Sequence, residues 1–232
     1  KQPSCLQVTR TITRTVNFER LESRGQSAAT VIKLMMACND LQIANEALSE
    51  WKTEQARSRK GRQTGACMYF IRIQFSHLFE GLKVVQDIKN DPALFELVNQ
   101  CDMQTRKSFS ELERFLPGGA NRADLERNMG RIRSNLAFHY EESGKLISRA
   151  IADRAARPEA RFSSVTRGST SYLWHFRAAD DIVDSIVVRQ IWKIPRTADL
   201  RVEADKMADY LHEIFLYFVD FSGEFIWKFC EN

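Results

Sequence analysis

The chain has 232 residues, 44% of them hydrophobic and 28% charged, and a formal net charge of +4. A chain of this length buries roughly 70% of its unfolded surface and needs no disulfide or metal staple, and the small number of glycines and prolines (10 and 5) excludes collagen-like and loop-rich β architectures. The five cysteines, Cys5, Cys38, Cys67, Cys101 and Cys230, form no CxxC pair and are odd in number, which fits a reducing compartment and gives no zinc pattern. No run of about 18 uncharged apolar residues is present. The N-terminus lacks the apolar core of a signal peptide. These features predict a soluble, cytoplasmic, non-membrane protein.

In chain order, residues 1–26 read as a polar Thr- and Arg-rich arm, with one short strand at 7–16. From Ser27 the pattern turns helical. Val31, Leu34, Cys38, Leu41, Asn45 and Leu48 recur in steps of three and four, the spacing of one buried helix face. The basic run Arg57, Arg59, Lys60 and Arg62 interrupts it. Met68, Ile71, Phe75, Leu78, Leu82 and Val85 then hold the same rhythm up to Asn90-Asp91-Pro92. There Asp91 is placed to cap a new helix with Pro92 in its first turn. That helix runs to about Cys101, the segment 102–116 follows, and Pro117-Gly118-Gly119 is a break.

Asn121 or Asp124 starts the next helix, with Leu125, Met129, Ile132 and Leu136 inward. The pattern runs on through Phe138-His139-Tyr140 to Ala155. Residues 156–171 read as a basic loop, 172–194 as a helix closed by Pro195, and 199–230 as a long last helix. Tyr210, Phe215, Tyr217, Trp227 and Phe229 lie off the main face of this helix. Either it is central and buried on several sides, or the extra aromatics form a dimer interface. The sum is an all-α bundle of about six or seven helices, forming a single domain over residues 27–232.

The most informative segment is Arg131-Ile-Arg-Ser-Asn-Leu-Ala-Phe-His-Tyr140, where polar groups interrupt an apolar helical pattern. Arg133 and His139 are separated by five residues, with Asn135 between them. Histidine both takes and gives a proton near neutral pH. Ribose 2′-hydroxyl attack on the neighbouring phosphate needs such a base and then an acid for the leaving oxygen. Arginine supplies a permanent forked cation for the charge that develops on the phosphate. This chemistry calls for no metal or other cofactor, and it acts on RNA because DNA lacks the attacking hydroxyl. On an ideal helix a six-position step is about 600°, which points the two side chains about 120° apart. A bend near Phe138 or a second chain would bring them together. Otherwise Arg133 pairs with Glu141 or Glu142 and His139 donates to a carbonyl.

The segment resembles the Arg-x(4–6)-His motif of the HEPN superfamily, helical nucleotide-binding and ribonuclease domains of prokaryotic toxin and phage-defence systems. In that family the polar residue usually follows the Arg directly, a place held here by Ser134. The resemblance implies a HEPN-like bundle that is a metal-independent endoribonuclease, a homodimer with a composite cleft, and an antitoxin or regulatory partner. It implies that Arg133 stabilises the scissile phosphate, that His139 is the general acid/base, and that Asn135 orients one of them. Arg131, Arg149, Arg154, Arg157 and Arg161 are the candidate RNA-binding cations; a solvated loop surface is the competing reading of this cluster. A non-catalytic helical dimerisation or RNA-binding module is the alternative for the whole chain.

Two further constellations compete. Asp180-Asp181-Ile-Val-Asp184 matches the DDxxD motif of isoprenoid synthases, whose carboxylates hold Mg²⁺ and a diphosphate. The second Mg²⁺ motif of that family is missing downstream, so an acidic helix turn facing Arg177 and Arg189 is the simpler expectation. His77 and Glu80 sit one turn apart, in reverse order to the Glu-x-x-His of di-iron bundles and in a single copy. They read as a local polar pair. His175 has no partner in sequence.

Overall fold

The computed structural model describes residues 12–53, 63–130, 132, 143–167, 169, 175–198 and 200–231. Among them the protein is all-helical. The helices are α1 Phe18–Glu22, α2 Gly25–Thr53, α3 Gln63–Asn90, α4 Pro92–Asn99, α5 Met103–Glu113, α6 Arg122–Leu125, α7 Lys145–Ala155, α8 Arg177–Ser185 and α9 Leu200–Glu231. Two π-helical stretches extend them, Glu126–Gly130 after α6 and Ile186–Ile191 after α8. The β pairing among the described residues is a single bridge between Thr166 and His175. No helix among the described residues is long and apolar enough to cross a membrane.

The long pair α2 and α3 is the frame. Each is close to 30 residues, about 43 Å at 1.5 Å per residue. Asn45 meets Gln74, and Asp40 meets His77, so the two run antiparallel. The stripe expected on α2 is buried: Val31, Leu34 and Leu41 are fully enclosed, and Cys38 and Leu48 nearly so. On α3 the stripe Phe75, Leu78, Leu82 and Val85 is likewise enclosed, while Met68 and Ile71 at its start are half-buried. The cap forms as the Asp-Pro signal requires. Asp91 accepts hydrogen bonds from the backbone N–H groups of Ala93 (2.9 Å) and Leu94 (3.2 Å), with Pro92 in the first turn. Its other oxygen accepts from Ser27 Oγ at 2.8 Å, which ties the start of α2 to the α3–α4 corner.

Helix α9 packs against α5, α2, α4 and α3. Its inner face is a ladder of enclosed side chains, Leu211, Ile214, Phe218, Phe221 and Phe225. The off-face aromatics find partners within the chain. Tyr210 meets the ring of Phe115 edge-on, and Phe215 stacks on His212. Phe229 is buried beneath Arg24, whose guanidinium sits 4.4 Å from the ring centre and donates to the Phe229 carbonyl at 2.8 Å. Arg14 lies 4.3 Å over Trp227 and pairs with Glu231 at 3.2 Å. A helix C-terminus offers unpaired carbonyls and partial negative charge, so two arginines bind there. The segment 12–24, expected as a loose arm, is thus anchored on α9 and carries helix α1, capped by Asn17. Residues 12–16 form no strand; 7–11 of the expected strand lie outside the described residues.

Two expected helices are shorter than the periodicity implied. The run through His139 to Ala155 is broken at Ser143–Gly144, and α7 begins only at Lys145. Gly144, the residue before α7, has φ of 64°, a left-handed conformation that a continuous helix does not contain and that suits glycine. The helix read from Tyr172 begins at Arg177, because His175 is held in the bridge to Thr166 by two backbone hydrogen bonds.

Candidate functional site

The predicted catalytic residues Arg133, Asn135 and His139, and the predicted RNA contact Arg131, lie outside the described residues. The structure describes the flanks of that segment. Leu125, Met129 and Ile132 are fully enclosed in the core, which places the expected inner face of the helix leading into the motif. The turn just before Arg131 is the π-helical stretch Glu126–Gly130. Such turns insert a residue into a helix and recur at functional sites.

The remaining predicted RNA contacts lie on α7 and just after it. Arg149 is exposed and lines a cleft beside α8. Arg154 is half-buried and pairs with Asp181 at 3.2 Å. Arg157 pairs with Asp153 at 2.8 Å and donates from Nε to the Asp153 carbonyl at 3.2 Å. Arg161 is exposed in the following turn. The basic cluster therefore divides: Arg149 and Arg161 face solvent, and Arg154 and Arg157 are matched by carboxylates. The other basic cluster, Arg57 to Arg62, lies outside the described residues.

The acidic turn of α8 meets different partners from those expected. Asp180 lies 3.0 Å from His175 Nε2. Asp181 pairs with Arg154 and accepts from the Ser163 hydroxyl. Arg189, one of the two arginines expected to face this turn, instead donates to the carbonyls of Ile194 and Pro195. Asp184 is the most perturbed of the three. Burial, reinforced by the like charges of Asp180 and Asp181, pushes its carboxyl up to about 6 against the pull of Arg72 and Arg154. Its Oδ1 is buried without a hydrogen-bond partner. A diphosphate site would need Asp181 and Asp184 at the mouth of a deep apolar cavity; here Asp181 is ion-paired and Asp184 is packed inward. Among the described residues no group of three or more His, Cys, Asp or Glu side chains is placed to hold a metal ion.

Asp184 makes stability depend on pH. Its pKa is near 3.8 unfolded and about 6 folded, so between those values the folded chain holds the extra proton. This contribution is fully present below about pH 4 and is lost as pH rises through 6. A shift of this size corresponds to at most about 3 kcal/mol. Asp184→Asn is expected to be more stable than the wild type by about 1–3 kcal/mol at pH 8, with the gap closing towards pH 4. Urea unfolding across that range reads it; a gap that stays constant with pH contradicts the assignment.

Sequence reasoning missed the His175–Asp180 pair, because the bridge that orients His175 joins residues nine positions apart. His77 and Glu80, expected as a local polar pair flanking a cleft, both line the α2–α3 groove, where His77 Nδ1 also lies 3.8 Å from Asp40 and Glu80 pairs with Lys83 at 2.9 Å. A second polar pocket was also unforeseen. Asn45, Gln74, Asp209 and His212 line a cavity of about 190 Å³ between α2, α3 and α9, where buried Gln74 donates to Asn45 at 3.1 Å.

Compared with models of protein families, with curated proteins and with solved structures, the chain finds no match.

Proposed function

We propose that the chain is a HEPN-like, metal-independent endoribonuclease of the toxin or phage-defence type. His139 moves the proton of the attacking 2′-hydroxyl, Arg133 stabilises the phosphate, and Asn135 orients one of them. The observation that carries the reading is the Arg133–His139 spacing in a chain whose described residues are all-helical. The exposed cations Arg149 and Arg161, which follow that segment, support it, because they offer phosphate contacts without base specificity. The reading brings with it a homodimer, in which a second copy completes the cleft, and a regulatory partner that restrains cleavage.

Attack by a 2′-hydroxyl expels the 5′-oxygen and leaves a 2′,3′-cyclic phosphate. The purified chain is therefore expected to cut RNA in the presence of excess EDTA and to leave cyclic phosphate ends, read by gel mobility before and after phosphatase and acid treatment. Loss of cleavage in EDTA, or 3′-hydroxyl ends, overturns the mechanism. RNA that is bound but never cut favours the non-catalytic binding module.

A further inference from the structure

We propose that the pocket between α7 and the π-helical end of α8 binds a phosphate monoester. The inference stands on described residues alone and does not depend on RNA cleavage by Arg133 and His139.

The pocket has a volume of about 360 Å³. One wall is a face of α7, with Leu146, Arg149 and Asp153. The other is Ser185, Arg189, Gln190 and Lys193. The π turn over Ile186–Ile191 carries Arg189 and Gln190 on this wall. Both walls are pinned. Gln190 Nε2 donates to the Leu146 carbonyl at 2.8 Å. Arg189 Nη1 donates to the carbonyls of Ile194 and Pro195, each at 2.7 Å, and so fixes the turn that carries Lys193.

The charge of this pocket is one-sided. Arg149, Arg189 and Lys193 line it against a single carboxylate. That carboxylate, Asp153, is ion-paired with Arg157 at 2.8 Å and with Arg196, and its Oδ2 is buried without a hydrogen bond. A doubly charged tetrahedral anion suits such a setting, because forked guanidinium groups and an ammonium all donate to its oxygens.

The independent pointer is Ser185. It lines the pocket, is only 6% exposed, and its hydroxyl has no hydrogen-bond partner. Buried hydroxyls are nearly always paired, and in a helix they usually turn back to a carbonyl one turn earlier. Gln190 Oε1 is a second buried atom without a partner. A ligand supplies both: a phosphate oxygen accepts a hydrogen bond from the Ser185 hydroxyl, and a hydroxyl beside the phosphate donates one to Gln190 Oε1. Lys193 adds a further sign. It is the one non-glycine residue with positive φ among the described residues, at 55°. A long cationic side chain there is disfavoured by the backbone, and it stands at the pocket rim. The ligand class is thus a phosphate monoester with a neighbouring hydroxyl, as in a nucleoside monophosphate or a phosphorylated RNA end.

Isothermal titration of the full chain at constant ionic strength tests this, with inorganic phosphate, AMP, adenosine, and one RNA oligonucleotide bearing either a 5′-phosphate or a 5′-hydroxyl. Phosphate and AMP are expected to bind with Kd of roughly 1 mM or tighter, and adenosine is not. Arg149→Ala combined with Lys193→Gly is expected to weaken AMP at least about tenfold, and Ser185→Ala about three- to tenfold. Glycine suits the left-handed backbone at position 193, so Lys193→Gly removes the charge without a folding penalty. Tighter binding of the 5′-phosphate oligonucleotide than of AMP, lost with Lys193→Gly, identifies an RNA end as the source; AMP binding at least as tight as the oligonucleotide identifies a free nucleotide. No binding of phosphate or AMP by the wild type, binding unchanged in the variants, or adenosine binding as well as AMP overturns the proposal.

Discussion

Phe218→Ala is expected to cost about 3–5 kcal/mol of folding stability, a large share of the 5–15 kcal/mol typical of a whole domain. The ring is fully enclosed in the middle of α9, so truncation removes its apolar burial and leaves a cavity that rigid helices close poorly. The partner across the interface is Gly81 on α3. A Cβ added there would meet Phe218 Cζ at 2.6 Å, far inside van der Waals contact. Gly81→Ala is therefore expected to cost about 1–3 kcal/mol through overpacking. The two changes share one space, so Gly81→Ala should cost less in a Phe218→Leu background than in the wild type. Chemical denaturation of the four proteins reads this coupling; strict additivity would mean that α3 and α9 do not meet at this point.

His139→Ala is expected to lower the rate of RNA cleavage by about 10²–10⁴-fold while leaving stability nearly unchanged. A general acid/base contributes in that range, and alanine removes the group without adding charge or bulk. Arg133→Lys keeps the charge but loses the fork, so it is expected to retain RNA binding and lose most of the rate. Asn135→Ala, in an orienting role, is expected to fall between them. A structural role gives the opposite pattern: His139→Ala destabilises the fold and the residual folded protein cuts RNA at the wild-type rate. Single-turnover cleavage with parallel denaturation curves separates the two.

The helices that bury one clear stripe were legible from residue spacing alone. Val31 to Leu48 on α2 and Phe75 to Val85 on α3 were placed by steps of three and four, and both faces are enclosed. The Asp91-Pro92 start was legible because capping and proline chemistry are local. The last helix was readable as carrying aromatics off its main face, and their partners explain why: Phe115 arrives from just after α5, and Arg14 and Arg24 from the segment 12–24. That convergence is tertiary and leaves no periodic trace.

The misreadings share a cause. Apolar periodicity continued across Gly144 and before Arg177, although a single backbone conformation and a two-residue bridge decide where those helices begin. The π-helical stretches are invisible to a 3.6-residue period, because they add one residue without changing residue type. The same blindness hid the phosphate pocket, whose wall is one of those stretches. The acidic turn of α8 was expected to face Arg177 and Arg189; its partner Arg154 comes from α7, which only folding brings near, and His175 is turned to it by the bridge just before α8. Of the candidate site, the choice of Arg133, Asn135 and His139 rests on spacing and on a resemblance. The described structure adds its buried lead-in at Ile132 and the basic helix beyond it.

The most direct test of that choice uses one RNA of defined sequence and the same RNA with a single 2′-deoxy sugar at the mapped cleavage position, both in EDTA, with wild-type protein and His139→Ala. The wild type is expected to cut the RNA at that position, to fail at the 2′-deoxy sugar, and to lose the cut with His139→Ala. Cleavage at the 2′-deoxy position, or undiminished cleavage by His139→Ala, would contradict a 2′-hydroxyl mechanism carried by Arg133 and His139.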